Sequence, residues 1–87
     1  MIIEKKVWRK YFQDIIDGKK SFEVRLADFS CREGDILILK EWDEIKGEFT
    51  GRQTEKQVTY VVKTEDLSFW ETKEIEKYGY QIIGFDN

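Results

Sequence analysis

Gly18-Lys19-Lys20-Ser21-Phe22-Glu23-Val24-Arg25 is a helix stop that runs directly into a strand. Upstream of it, Trp8, Tyr11, Phe12, Ile15 and Ile16 fall at i, i+3, i+4, i+7 and i+8, the stripe of an amphipathic helix. Gly18 stands where a left-handed cap is usual, so the helix is expected to end near Asp17. From Phe22 onward the apolar residues alternate: Phe22, Val24 and Leu26 point one way, Ser21, Glu23 and Arg25 the other. Glu23 and Arg25 therefore share a face, about 7 Å apart along it. Lys20 would lie on the opposite face of an ideal strand. It reaches the same side only if the chain bends at Gly18 and Lys19, as a turn leaving a helix does. A lysine, a carboxylate and an arginine converging beside an apolar wall would suit an anionic or carbonyl-bearing ligand.

Composition bounds what such a site can belong to. At 87 residues the chain makes one domain, residues 1–87, near the size that folds without metal or disulfide support. Three Trp, four Tyr and six Phe supply a core, and the 38% of charged residues are interspersed with apolar ones, which argues against disorder. No apolar run is long enough to span a bilayer and Met1-Ile2-Ile3-Glu4 has no signal-peptide pattern. A cytoplasmic protein without a membrane partner is expected. A single cysteine, Cys31, leaves no internal disulfide and reads as a passive thiol. The absence of His excludes Ser-His-Asp and Cys-His nucleophile pairs and His-rich metal sites. No Walker-type or dinucleotide-type glycine loop occurs, so neither cofactor nor metal is expected. The net charge of -3 argues against non-specific coating of nucleic acid, but residues 1–25 carry +3 and the remainder carries the acid. A basic end on an acidic body could steer a phosphate ligand to one spot.

Residues 2–7 read as an opening strand, followed by the helix and the strand from Phe22. Glu33-Gly34-Asp35 is a turn signal, and Ile36-Leu37-Ile38-Leu39 is an apolar run suited to a strand buried on both faces. It continues through Trp42 into a polar stretch with Gly47 and Gly51 as breakers, and the chain is expected to turn back around Phe49-Thr50-Gly51-Arg52. The alternation from Lys56 to Lys63 makes the returning strand, with Val58, Tyr60 and Val62 on one side. Ser68-Phe69-Trp70-Glu71 fits a capping box for a short helix from Phe69 to Lys77, and Tyr80 to Phe85 makes a last strand. Mostly β with two helices, the pattern predicts an α+β domain built as a small, mostly antiparallel β-barrel with one helix packed at an open end.

The stretch Gly18 to Arg25 also fits the GxKxxExR signature of the ASCH domain, and the chain resembles that branch of the PUA-like superfamily. Within it the chain is similar to the short bacterial and phage-type subgroup, which has a TGR hairpin, here Thr50-Gly51-Arg52, after a Leu-Ile-Leu-Lys-Glu-Trp strand. The resemblance covers essentially the whole chain. It implies a PUA-like barrel with a cleft beside the helix, and binding of RNA or a nucleoside-type ligand. Some ASCH members are amidohydrolases that deacetylate acetylcytidine, and at least one group is reported as ribonucleases. The amidohydrolase lysine falls on Lys20. The threonine three residues later is replaced by Glu23, and Glu65, Glu71 and Glu74 are all open as the downstream glutamate.

Three functional readings follow. For an RNA- or nucleotide/nucleoside-binding domain, Lys20 and Arg25 donate to phosphate or a base carbonyl and Glu23 accepts from an exocyclic amine. Ser21 is a helix-exit hydrogen bonder or a minor contact, Trp8, Trp42 and Tyr80 are stacking candidates, and Lys5, Lys6, Arg9, Lys10 and Lys19 line a phosphate path. For an amidohydrolase on an acetylated cytidine, Lys20 and Glu23 are catalytic, with either one as the base. For a protein-interaction module, the cleft is vestigial. Tyr11, Phe12, Phe22 and Tyr60 are expected in the core. Arg52 is expected to cap the hairpin or brace Asp43 and Glu44.

Overall fold

Among the described residues, 1–66 and 78–86 of a computed structural model, five strands and one α-helix form. The chain runs β1 (Ile2–Trp8), α1 (Arg9–Ile16), β2 (Phe22–Leu26), β3 (Ile36–Asp43), β4 (Glu48–Lys63), a 3-10 turn (Thr64–Asp66) and β5 (Tyr80–Phe85). The short helix expected from Phe69 to Lys77, with Trp70, Glu71 and Glu74, lies outside the described residues, as does the side chain of Glu65.

The strands form a mixed sheet in the order β1-β3-β4-β5-β2. This corrects the expected barrel and adds a parallel pair to the expected, mostly antiparallel pairing. The sheet is not wholly antiparallel, because β1 and β3 pair in parallel from Ile2↔Ile36 to Trp8↔Trp42. The chain passes through α1 and β2 between them, a crossover long enough for parallel pairing. Nor do the strands close into a barrel, since β1 and β2 stand at opposite edges of the order. The sixteen-residue β4 joins the two halves. Its first part pairs with β3 and its last part with β5, with a register shift between Val58 and Tyr60.

That shift corrects the expected core as well. Val58 is buried and Tyr60 is 60% exposed, because the irregularity between them puts the two on different faces. Of the stripe on α1, only Phe12 and Ile15 are buried, joining Val7, Leu37, Leu39, Val58, Ile83 and Phe85 in the core. Trp8, Tyr11 and Ile16 flank it, exposed. On β2 the alternation holds with its faces reversed: Phe22, Val24 and Leu26 are outside and Glu23 is buried. Tyr11 and Phe22 therefore leave the core list. Cys31 is buried, and its burial, with Asp35 nearby, pushes the thiol pKa up, as suits an unreactive side chain. No helix among the described residues is long and apolar enough to cross a membrane.

The hairpin turn also sits earlier than expected. Gly47, with φ 70°, closes it between β3 and β4, and Asp43 Oδ1 accepts from the backbone N–H groups of Ile45 and Lys46 at 3.0 Å. Gly51 lies inside β4 instead, with φ 98°. Lys40 pairs with Gln53 and Trp42 with Phe49, so Thr50-Gly51-Arg52 is a bulge opposite Glu41. A left-handed glycine there lets both neighbours reach one carboxylate. Thr50 Oγ1 donates to Glu41 at 2.6 Å, and Arg52 donates through Nε at 3.0 Å and Nη2 at 2.8 Å. Arg52 thus braces Glu41, while Asp43 and Glu44 are paired by Arg9.

Candidate ligand pocket between the sheet edges

The end of α1 places the first charged side chain. Asp17 caps the helix in a right-handed conformation and Gly18 follows at φ 75°. The N–H groups of Lys19 and Lys20 both return to Asp14 O, at 2.9 and 3.1 Å, a tight C-terminal wrap that reverses the chain. Lys20 leaves this wrap directed at the strand that follows. Its Nζ donates to Phe22 O at 2.8 Å and pairs with Glu23 Oε1. The bend anticipated at Gly18 therefore brings Lys20 to the face of Glu23.

From the other side, Arg25 Nε donates to Glu23 Oε2 at 2.9 Å. Both carboxylate oxygens are thus engaged by cations, which is what lets a charged side chain sit at 7% exposure. Arg25 goes further: its Nη2 donates to Lys6 O at 2.6 Å. Lys6 lies on β1 and Arg25 on β2, the two edges of the sheet. An edge strand leaves backbone carbonyls without ladder partners, and here a guanidinium from the opposite edge satisfies one.

Between these edges lies a pocket of about 510 Å³, lined by Lys6, Val7, Trp8, Tyr11, Lys20, Glu23, Val24 and Arg25. That is the size of a small-molecule site. Three cationic residues stand against one carboxylate, in a chain whose net charge is -3. Trp8 and Tyr11, the half of the helical stripe that the core does not use, form the aromatic wall. The arrangement suits a planar ligand that carries negative charge or carbonyl oxygens. Beside Arg25 in the ladder, its register partner Gln81 is fully buried; Nε2 donates to Phe29 O at 3.2 Å and Oε1 has no partner among the described residues. No group of three His, Cys, Asp or Glu side chains gathers as a metal site among the described residues.

A family profile described as a domain of unknown function, DUF3850, matches residues 2–85. The chain belongs to the DUF3850 family. It is also 45% identical over 69 residues to an uncharacterized 12.9 kDa protein in the GpA 3′ region of Escherichia phage P2, a match covering 79% of this chain and 59% of the phage protein. The DUF3850 chain thus spans about 59% of that relative's length. The crystal structure of hypothetical protein PH0355 has a similar fold, with a TM-score of 0.66 over 99% of this chain and 98% of that one, at 21% identity.

Of the residues singled out in the sequence as ligand contacts, the DUF3850 pocket unites Lys6, Trp8, Lys20, Glu23 and Arg25. Ser21, Trp42 and Tyr80 do not line it. Ser21 O accepts from Phe85 N, Trp42 lies under Lys6 on the outer face of the sheet, and Tyr80 stands on β5 opposite Leu26. Among the basic residues, Arg9 and Lys10 are committed to Glu44 and Asp14, and Lys5 sits 3.7 Å over the Phe29 ring. The sequence pattern does not mark Tyr11, Val7 and Val24 as pocket residues. The helical stripe carried a signal for Tyr11, since five apolar positions make it wider than a helix of two turns buries on one side.

Proposed function

We propose that this domain binds RNA or a nucleotide or nucleoside, with the ligand held in the pocket between β1 and β2. The observation that carries the reading is the triad itself. A buried Glu23 holds Lys20 and Arg25 at the wall of a pocket that also presents Trp8 and Tyr11. Fixed cations recognise phosphate or base carbonyls, and aromatic rings stack on a base at about 1–3 kcal/mol each. Glu23 sets the spacing of the two cations and offers its lone pairs to an exocyclic amine. Membership of the ASCH branch of the PUA-like superfamily and a cytoplasmic location belong to the same proposal. Its support is the GxKxxExR stretch, whose three charged residues are the three joined in the triad.

The binding role fits the triad better than the hydrolase role. As a base, Lys20 would have to lose a proton while donating to both Phe22 O and Glu23. As a base, Glu23 would have to break two ion pairs. Isothermal titration at low salt with ribonucleosides, their monophosphates and short RNA pools tests the proposal. Micromolar or tighter binding that weakens as salt rises is the expected result. Flat titrations across the panel would reject it, and release of cytidine from acetylated cytidine would replace it with the hydrolase role. Protein partners captured equally well by Lys20→Ala and Glu23→Ala would favour an interaction module.

A further inference from the structure

The outer face of β1 continues from the pocket across β3 and β4, and strand register organises what it displays. Trp8 pairs with Trp42 and Trp42 with Phe49, so three strands contribute one aromatic ring each to a single row. In the adjacent row Lys6 pairs with Lys40, and Lys40 with Gln53. Trp8 and Phe49 are exposed and Trp42 is half-buried. Trp42 and Phe49 meet edge to face with centroids 4.9 Å apart, and Lys6 Nζ stands 4.0 Å above the Trp42 ring. Two hollows of about 180 and 190 Å³ adjoin the row, both lined by Lys40 and Phe49.

We infer that this row is the track of a single-stranded polynucleotide, one nucleotide of which occupies the pocket; the inference rests on the nucleotide reading of that pocket. A single strand repeats two features, a flat base and a phosphate, and the face repeats their complements, rings in one row and ammonium groups in the next. Trp8 and Lys6 belong to both the pocket and the track, so the two are continuous. Over pocket and track, Lys5, Lys6, Lys20, Arg25, Lys40 and Arg52 stand against Glu4 and Glu23, a local excess of cations on an acidic chain. Glu4 holds Lys40 in an ion pair, whereas Lys6 has no carboxylate partner among the described residues. A duplex does not match, because its bases are stacked and withdrawn from side-chain rings.

The test compares affinities of random-sequence RNA and DNA octamers, by anisotropy of an end label, with those of the four ribonucleoside monophosphates, by calorimetry. The octamers are expected to bind at least tenfold tighter than any monophosphate. Phe49→Ala should cost the octamers about tenfold and leave the monophosphates unmoved, since a stacked base is lost outside the pocket. Lys40→Gln should lower the slope of log affinity against log salt by about one. Preference for RNA would assign contacts to the 2′-hydroxyl, and equal affinity would assign them to features shared with DNA; either keeps the track. Monophosphate binding with octamers no tighter, or octamer binding indifferent to Phe49→Ala, overturns the track and leaves the pocket reading in place. Failure of every ligand to bind removes both.

Discussion

Glu23 on β2 and Glu41 on β3 are each 7% exposed at the side chain, and each has both oxygens bonded by its partners. What surrounds them differs. The partners of Glu41 close over it: Arg52 lies 4.9 Å over the Phe12 ring, donates to Gln13 at 3.0 Å, and so ties the β4 bulge to α1. The partners of Glu23 stand at the rim of an open pocket, and one of them reaches across to the other sheet edge. A buried carboxylate between cations is therefore no mark of a site by itself. What sets Glu23 apart is the size of the open side its cations keep: about 510 Å³ between the two sheet edges, against a hollow of about 190 Å³ beside Arg52.

The sharpest way to break this comparison is to remove both charges in turn. Glu23→Gln should weaken the binding of the best nucleotide or RNA ligand by about a hundredfold, the scale of a lost charge-assisted hydrogen bond at each cation. Glu41→Gln should leave the affinity for a nucleoside monophosphate within about twofold, because its partners lie outside the pocket. Equal losses of affinity in a calorimetric titration would dissolve the distinction. On stability the two should converge. Each leaves the donors around a buried carboxyl poorly answered, at about 2 kcal/mol in urea unfolding.

Trp8→Ala sharpens the comparison on the pocket side. Trp8 lines the pocket and is 55% exposed, so the loss should fall on affinity, about tenfold, with little effect on unfolding. A large stability loss with unchanged affinity would assign Trp8 to the fold. The smallest effect is one of pH on the Glu41 side. Arg52 first, then Thr50, holds the Glu41 carboxyl below its ordinary value of 4.5. A depressed carboxyl contributes stability above the unfolded-state value and loses it as pH falls through the folded one. The difference in melting temperature between the parent protein and Glu41→Gln should therefore shrink below pH 4.5. A difference that stays constant down the acid limb would show that the Glu41 cluster is not ionic in its effect.

The helix over α1, its stop at Gly18 and the strands from Phe22, Ile36 and Tyr80 were legible because each rests on periodicity or a glycine cap. So were Lys20, Glu23 and Arg25 as one group, since a bend and a two-residue period suffice to bring them together. Which face of β2 lies inside was not legible. Three apolar residues against two charged ones read as apolar inward, and the reverse holds because Lys20 and Arg25 neutralise Glu23 in place. Register irregularities were equally hidden. Gly51 reads as a turn breaker, yet it serves a bulge, and the shift after Val58 carries Tyr60 off the core face. The parallel pairing of β1 with β3, which leaves β1 at an edge and so opens the pocket, depends on long-range pairing that no local pattern specifies.

The most direct test of the pocket is to follow backbone amide resonances of the isotope-labelled protein while titrating the four ribonucleoside monophosphates. Saturable shifts concentrated at Lys6, Val7, Tyr11, Lys20, Glu23 and Arg25, and quiet amides around Glu41 and Arg52, are the predicted result. Shifts centred on the Glu41 cluster, or a spectrum that no monophosphate moves, would contradict it.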